Sequence, residues 1–170
     1  MPGPIHDFFE ADHRRLDALL ERAVAGTDGI DEAAYARFRK GLLRHLAMEE
    51  KLLLPAVRRA RGGRLTDDER RLRVDHGALG SLLVPSPTRA LVAELRSILE
   101  PHDRLEEGPD GLYAAGERLP PEEIRGLLDR AHAYPEVKAS RYYDGPKACR
   151  TAEEALRRSE QSHRMGHEND

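Results

Sequence analysis

The sequence predicts an all-α protein, an up-down-up-down four-helix bundle with a short fifth helix and a C-terminal extension. Three observations support this prediction. Apolar residues recur at helical spacing in long segments that are separated by turns rich in glycine and proline. Aromatic residues make up only 5% of the 170 residues and Trp is absent, which disfavours an all-β fold. Charged residues make up 35%, as expected for solvated helix faces around one core.

The first two helices are predicted over residues 5–25 and about 31–61. The apolar face of the first consists of Phe8, Phe9, Leu16, Leu19, Leu20 and Val24. Asp31 is expected to cap the second helix at its N-terminus. Pro55 is expected to bend this helix near its end, and the pair Gly62-Gly63 to stop it.

The third and fourth helices have sequence signals at their starts. Thr66 with Glu69 forms a capping box for helix 3, which is expected to end before Pro85. Ser86 followed by Pro87 predicts the cap and first residue of helix 4, which reaches about Glu107.

The remainder of the chain has a weaker helical pattern. Pro120 and Pro121 open a short fifth helix that ends near His132. Residues 135–170 are interpreted as an extension in which Thr151 can cap one more helix, and the sequence leaves open whether it packs on the bundle or is partly disordered. The predicted domains are therefore the bundle, residues 1–119, and the short helix with its polar extension, residues 120–170.

Composition excludes several classes of function. The net charge is −3 and the two signs are interleaved, so no one-sided basic face for nucleic acid is present. Cys149 is the single cysteine, which excludes an internal disulfide and a cysteine-based metal cluster. No signal-peptide pattern follows Met1, and no apolar run approaches the roughly 20 residues that cross a bilayer. We therefore expect a soluble, cytoplasmic protein that contacts neither nucleic acid nor membrane.

An internal duplication is the most informative feature. The segments starting at Asp12 and Asp75 share the pattern D-H-x-x-L-x-x-L-L, and those starting at His45 and His102 share H-x-x-x-E-E. Residues four apart on a helix lie about 6 Å apart and only about 40° apart around its axis. Each His therefore faces the same way as the Glu four residues later. The second Glu of each pair, Glu50 or Glu107, is rotated away and is expected to be solvated or to support a ligand.

Two helix pairs related by an approximate twofold axis would gather these side chains around one point. The candidate metal ligands are His13, His45, Glu49, His76, His102 and Glu106. Four imidazoles and two carboxylates suit two borderline cations such as iron. If both glutamates bridge, a solvent-derived bridge gives each ion five ligands and leaves one open position for O2, peroxide or NO.

This arrangement resembles the hemerythrin-like family, also called the HHE cation-binding domain, over about residues 5–119. By this resemblance the six candidate residues fall on ligand positions, with Glu49 and Glu106 as bridging carboxylates. Oxygen-carrying members have a further His one turn before the helix 3 ligand, where this chain has Leu72. The set is thus more similar to iron-centre repair proteins and iron-sensing hemerythrin-like domains than to oxygen carriers. Pro101 and the segment 108–111 interrupt a helix that is usually continuous in the family, which could shift the register of helix 4.

The function predicted on these grounds is a non-haem di-iron protein that binds or reacts with a small oxidant. The alternative is a non-enzymatic iron or oxygen sensor, or an iron-handling protein, whose metal occupancy changes its contacts with partners. Ferritin-like chemistry is disfavoured because the Glu-x-x-His pattern occurs once, at Glu10 and His13, and is not repeated before His76. A metal-free structural bundle is the remaining reading. Whether turnover occurs is left open.

Overall fold

The computed structural model describes residues 3–167, so the ends of the two predicted domains, residues 1–2 and 168–170, lie outside the described residues. Eight α-helices and one π-helical turn are described within this range. In chain order they are α1 (Pro4–Val24), α2 (Glu32–Met48), the π-turn (Glu49–Leu53), α3 (Leu54–Ala60), α4 (Asp67–Leu82), α5 (Arg89–Glu107), α6 (Leu112–Gly116), α7 (Pro121–His132) and α8 (Ala152–His167). The all-α prediction is confirmed.

The four long helical segments, α1, α2 with α3, α4 and α5, form the bundle. Helices α2 and α4 run antiparallel, because Arg39 Nε donates to the Leu83 carbonyl at 2.7 Å while Glu50, in the π-turn that continues α2, contacts His76, earlier on α4. The same reversal relates α1 to α5, where Arg89 contacts the Val24 carbonyl and Glu107 contacts His13. The chain therefore alternates in direction around the bundle.

The second predicted helix, residues 31–61, is helical almost throughout but contains the π-turn at Glu49–Leu53. The Leu54 N–H bonds to the carbonyl of Glu49, five residues earlier. Pro55 has no N–H, so it cannot make the bond that a regular helix requires there. The chain accommodates this residue with a wider turn whose first residue is a candidate ligand, and such turns are frequent at functional sites.

The helix starts follow the predicted caps with one exception. Asp31 accepts a hydrogen bond from the Ala34 N–H, and Thr66 and Glu69 form the capping box. The prediction that Ser86 caps helix 4 is wrong, since α5 begins at Arg89 and the Thr88 side chain accepts from the Leu91 N–H at 3.0 Å. Ser86 instead donates its N–H and hydroxyl to Asp144 at 2.9 and 2.6 Å.

The C-terminal extension packs on the bundle over its described part. Arg44 donates to the carbonyls of Ala131 and Tyr134, and Arg39 donates to that of Ser140, which ties the irregular segment 133–150 to α2. Helix α8 lies on α4, where the Ser159 hydroxyl donates to the Val74 carbonyl at 2.7 Å. Of the two alternatives for this segment, the structure shows the packed one for residues 135–167.

Two apolar clusters fill the bundle, one on each side of a polar layer. The cluster toward the end that carries the α4–α5 connection includes Leu16, Phe38, Leu42, Leu79 and Leu95. The cluster toward the chain's N-terminus includes Ile5, Phe9, Met48, Leu53 and Leu72, together with residues of α6 and α7. Over residues 3–167, no helix combines the length and apolar character required to span a bilayer.

Candidate metal centre

The polar layer between the two clusters contains all six predicted ligands. Each is buried, with an exposed fraction between 0% for the two glutamates and 6% for His13 and His76. Every one of the bundle helices contributes: α1, α4 and α5 provide His13, His76 and His102, while α2 provides His45. Glu49 opens the π-turn and Glu106 lies near the end of α5. The duplicated pattern therefore predicted which side chains meet in the interior.

The six side chains form two groups of four that share both glutamates, and each group could hold a metal ion. The first group contains His13 and His45, and the second contains His76 and His102. Glu49 directs Oε1 to His45 Nε2 at 3.2 Å and Oε2 to His76 Nε2 at 3.3 Å. Glu106 directs Oε2 to His13 Nε2 at 3.4 Å and Oε1 to His102 Nε2 at 3.2 Å. Each carboxylate thus presents one oxygen to each group, as a bridging ligand does.

The spacing of these atoms is compatible with coordination of a shared ion, and several of them have no hydrogen-bond partner. Two ligand atoms that are each about 2.1 Å from one ion and at right angles lie about 3.0 Å apart. The nitrogens of His13 and His45 are 2.9 Å apart, close to this value. Among the described residues, four of the buried ligand atoms have no hydrogen-bond partner: Glu49 Oε2, His76 Nε2, His102 Nε2 and Glu106 Oε1. Buried polar atoms without partners are costly, and a bound cation would satisfy them.

Pro101 does not shift the register of α5, as the sequence had suggested it could. Helix α5 is continuous from Arg89 to Glu107 with Pro101 inside it. A proline in this position removes the hydrogen bond to the carbonyl four residues earlier, but it leaves the spacing of His102 and Glu106 intact. The two His-x-x-x-Glu pairs therefore present equivalent ligands, although one crosses into a π-turn and the other stays α-helical.

The outer nitrogen of each imidazole faces a carboxylate from the duplicated motifs. His45 Nδ1 contacts Asp12 at 3.0 Å and His102 Nδ1 contacts Asp75 at 3.5 Å. His13 Nδ1 is 2.7 Å from Glu107 and His76 Nδ1 is 2.8 Å from Glu50. Such contacts fix the ring orientation and leave Nε2 free to bind a metal. Of the two roles expected for Glu50 and Glu107, the structure shows the supporting one.

The electrostatics of the site reflect dense opposite charges. Burial lowers the pKa of His13, but hydrogen bonds to Glu106 and Glu107 outweigh it and raise the pKa to about 11. Burial also lowers the pKa of His102, but the charge of Glu106 and the contact with Asp75 outweigh burial and raise this pKa to about 9. Burial and the charge of Glu106 raise the pKa of Glu49, but His45 and His76 outweigh them and lower it to about 2. Without a metal, the interior is an array of paired ions in which protons occupy the place of cations.

Comparison with known families assigns the chain. Residues 5–114 match the hemerythrin HHE cation-binding domain, which is well over half of the chain. The protein belongs to the hemerythrin HHE family. Neither the curated proteins nor the solved structures contain a match to it. Hemerythrin HHE domains bind metal cations, and the two groups of buried His and Glu in this member are suited to that role.

Tyr113 is a site residue of this HHE domain that the sequence did not place. Its hydroxyl lies 2.7 Å from Glu49 Oε1 and 3.0 Å from both Glu106 Oε2 and His13 Nε2. Burial, followed by the charges of Glu106 and Glu49, raises its pKa well above the usual value. The turn before α6 brings it back over the end of α5, and a Cβ at Gly111 would collide with the carbonyl oxygens of Leu105 and Glu106. In the sequence, the turn residues at positions 108–111, two of which are glycines, were the available signal that the chain reverses here.

A small cavity adjoins the centre on the side of the first apolar cluster. Its volume is about 10 Å³, and it is in contact with three of the ligand histidines. The lining residues are His13, Leu16, Asp17, Phe38, Leu42, His45, Leu46, Leu99, His102 and Asp103. Burial raises the pKa of Asp103 to about 6, against the opposing charge of His13. The cavity has room on the order of one water-sized molecule.

Position 72 has an apolar side chain. The residue there is Leu72, which is buried in the apolar cluster that contains Phe9 and Met48. It lies one turn before His76 on α4, so a histidine at this position would add a ligand on the side of the second group. The second group therefore contains two imidazoles and two carboxylates, and Leu72 adds no further candidate ligand to it.

Proposed function

We propose that this HHE domain holds two iron ions, one in each four-ligand group, and that it binds or reacts with a small oxidant such as O2, peroxide or NO. The main support is the sharing of Glu49 and Glu106 by both groups, each carboxylate presenting one oxygen to either side. A site for one ion does not require this symmetry. Each group offers two imidazoles and the two shared carboxylates, a set that suits iron, which supplies redox chemistry toward small oxidants when bound.

The surroundings favour a small ligand over a larger substrate. The cavity beside His13, His45 and His102 is lined otherwise by four leucines, Phe38 and two aspartates, and its apolar half limits the access of bulk water. Its volume of about 10 Å³ accommodates a diatomic molecule or peroxide after slight rearrangement and leaves no room for an organic substrate. Asp17 and Asp103 are the carboxyl groups on its wall, and Asp103, 3.8 Å from His13 Nε2, is positioned to hold a proton near the incoming ligand.

The metal requirement can be tested with purified protein loaded anaerobically with Fe(II). We expect two irons per chain by elemental analysis, and near-ultraviolet absorption that changes on addition of peroxide or NO. His45→Ala is expected to reduce the iron content, whereas His132→Ala, which alters an exposed histidine of α7, is expected to leave it unchanged. Iron content near zero in the unmodified chain, or equal content in His45→Ala, would refute the proposal.

A sensor is the second candidate, and one contact favours it. Helix α8 packs on α4 next to a histidine of the second group. The Ser159 hydroxyl donates to the carbonyl of Val74, two residues before His76. A cation that pulls His76 toward Glu49 and Glu106 would also act on this contact. We expect limited proteolysis of the segment 133–150 to be slower in the iron-loaded protein than in the metal-free protein. Identical digestion of the two forms would eliminate the sensor.

A further inference from the structure

Tyr113 is held rigidly at the centre by its neighbours. Its ring is fully buried and stacks on Phe9, with ring centroids 5.2 Å apart and an angle of 18° between the planes. The ring of His6 meets it edge-on at 6.0 Å. Helix α6 itself is packed closely, since a Cβ at Gly116 would lie 2.9 Å from a methyl group of Leu53 and 3.0 Å from one of Ile5. Packing around the ring and around α6 therefore fixes the position of the hydroxyl.

The hydroxyl occupies the position of an additional ligand of the first group. Its distances to Glu49 Oε1, Glu106 Oε2 and His13 Nε2 are 2.7, 3.0 and 3.0 Å. These match the separation of about 3.0 Å between neighbouring ligands of one ion. The carboxylate oxygens that face the second group, Glu49 Oε2 and Glu106 Oε1, have no hydrogen-bond partner in the described chain, so the phenol belongs to the first group alone.

The proton of the phenol cannot serve both carboxylates. A phenol has one proton to donate, and the hydroxyl of Tyr113 faces one oxygen of each of two carboxylates. When the proton is donated to Glu49, the lone pairs of the hydroxyl face the oxygen of Glu106 at 3.0 Å. These two oxygens need a positive charge beside them, and in the metal-free protein the protonated His13 supplies it, with Nε2 at 3.0 Å from the hydroxyl and 3.4 Å from Glu106 Oε2. A cation surrounded by the same three oxygens would take the place of that proton.

We propose that Tyr113 is a direct phenolate ligand of the ion held by His13 and His45. This inference rests on the proposed function for the presence of iron. On coordination the O–H bond breaks, an oxygen–iron bond forms, and the proton leaves to solvent. A bound cation reverses the local electrostatics that otherwise keep the phenol protonated. The first ion then has five protein ligands and the second has four, so the two halves of a symmetric ligand set hold chemically different ions.

Optical spectroscopy of the iron-loaded protein tests this directly. The protein is loaded anaerobically with Fe(II) and then oxidised with ferricyanide, and the same is done for two variants. Tyr113→Phe removes the hydroxyl and keeps the ring stacked on Phe9. Tyr35→Phe is the matched control, because Tyr35 is also fully buried but lies in the other apolar cluster. We expect a visible phenolate-to-iron(III) charge-transfer band, with phenolate vibrations in resonance Raman spectra, in the unmodified protein and in Tyr35→Phe. Both signals are expected to be lost in Tyr113→Phe.

The outcomes separate this inference from the proposed function. Two irons per chain with no phenolate band, or a band that persists in Tyr113→Phe, would overturn the ligand assignment and leave the di-iron proposal intact. Absence of bound iron from all three proteins would overturn both. If Tyr113→Phe does not fold, unmodified protein grown with ring-deuterated tyrosine provides the test. Its Raman bands must shift if the ligand is a tyrosine, and bands that do not shift refute the assignment.

Discussion

The two halves of the centre show what duplication preserves and what it leaves free to change. Both halves have two imidazoles, share the same two glutamates, and support each outer nitrogen with a carboxylate from the duplicated motifs. They differ in their surroundings: the first has the hydroxyl of Tyr113, while the second has apolar Leu72 one turn from His76. The set of candidate ligands is thus symmetric and its environment is not, so the structural difference between the halves lies outside the repeated motif.

Substitution of a shared glutamate has the largest expected effect. Because Glu49 and Glu106 each serve both groups, Glu49→Gln or Glu106→Gln is expected to lower the iron content from two ions per chain to fewer than one. The loss of affinity should exceed the 10–100-fold typical of outer-shell changes. Elemental analysis after anaerobic loading measures this. Glu100→Gln, which alters an exposed glutamate of α5, serves as the control. Retention of two ions by either shared-glutamate variant would show that the carboxylates do not bridge.

Substitution of a histidine should affect one half only. We expect His45→Ala and His102→Ala each to retain about one ion per chain, because each variant keeps both imidazoles of the other four-ligand group. The proposed phenolate ligand lets the two variants be told apart. After oxidation, the visible band should be lost in His45→Ala and retained in His102→Ala. Equal spectra in the two variants would contradict the difference between the halves.

The metal-free protein is expected to lose stability as the pH rises. The pKa of His102 is raised from 6.5 to about 9, and that of His13 from 6.5 to about 11. A histidine whose pKa is raised in the folded state stabilises the fold fully at pH values below its unfolded-state pKa of 6.5. This stabilisation is lost as the pH rises through the folded-state pKa. Between pH 6.5 and 9 the loss from His102 is on the order of 3 kcal/mol.

This pH dependence also separates the halves. His102 of the second half should deprotonate before His13 of the first, which nuclear magnetic resonance of the imidazoles can follow. Chemical denaturation of metal-free protein at several pH values measures the loss of stability. Iron-loaded protein should show a much smaller dependence over the same range, since cations replace the protons. Stability of the metal-free form that increases from pH 6.5 to 9 would contradict the paired-ion description.

The supporting aspartates should give the smallest effects. Asp12→Asn and Asp75→Asn remove the charge beside the outer nitrogens of His45 and His102, and each is expected to weaken iron binding by about 10–100-fold. Asp12 should matter more, because it lies 3.0 Å from its histidine whereas Asp75 lies 3.5 Å away. Competition with a chelator measures both. Asp67→Asn, at a fully exposed position, is the control. A larger effect at Asp75 would indicate that distance does not rank these contacts.

The repeated motifs made most of the centre predictable. Their helical spacing indicates which faces point inward, so the four histidines and two glutamates could be identified from the sequence alone. The π-turn was less accessible, because Pro55 signalled a disturbance but not that the helix would widen around Glu49. Tyr113 could not be found by periodicity, since it follows an irregular turn and reaches the site only because Gly111 approaches the end of α5 closely.

The helix starts show the same limit on a smaller scale. The box at Thr66 formed because both of its partners lie within four residues of each other. The cap expected at Ser86 did not form, because Asp144, far away in sequence, binds that serine and Thr88 takes over the start of α5. Local patterns predicted local hydrogen bonds, while contacts between distant segments decided the rest.

Anomalous X-ray diffraction from crystals of the iron-loaded protein, recorded at the iron edge, tests the central claim most directly. The account predicts two separate peaks, one between His13 and His45 and the other between His76 and His102, with a carboxylate oxygen of Glu49 and of Glu106 beside each. A single peak, or iron bound only outside the bundle interior, for example at the half-buried His6 and Glu10, would contradict it.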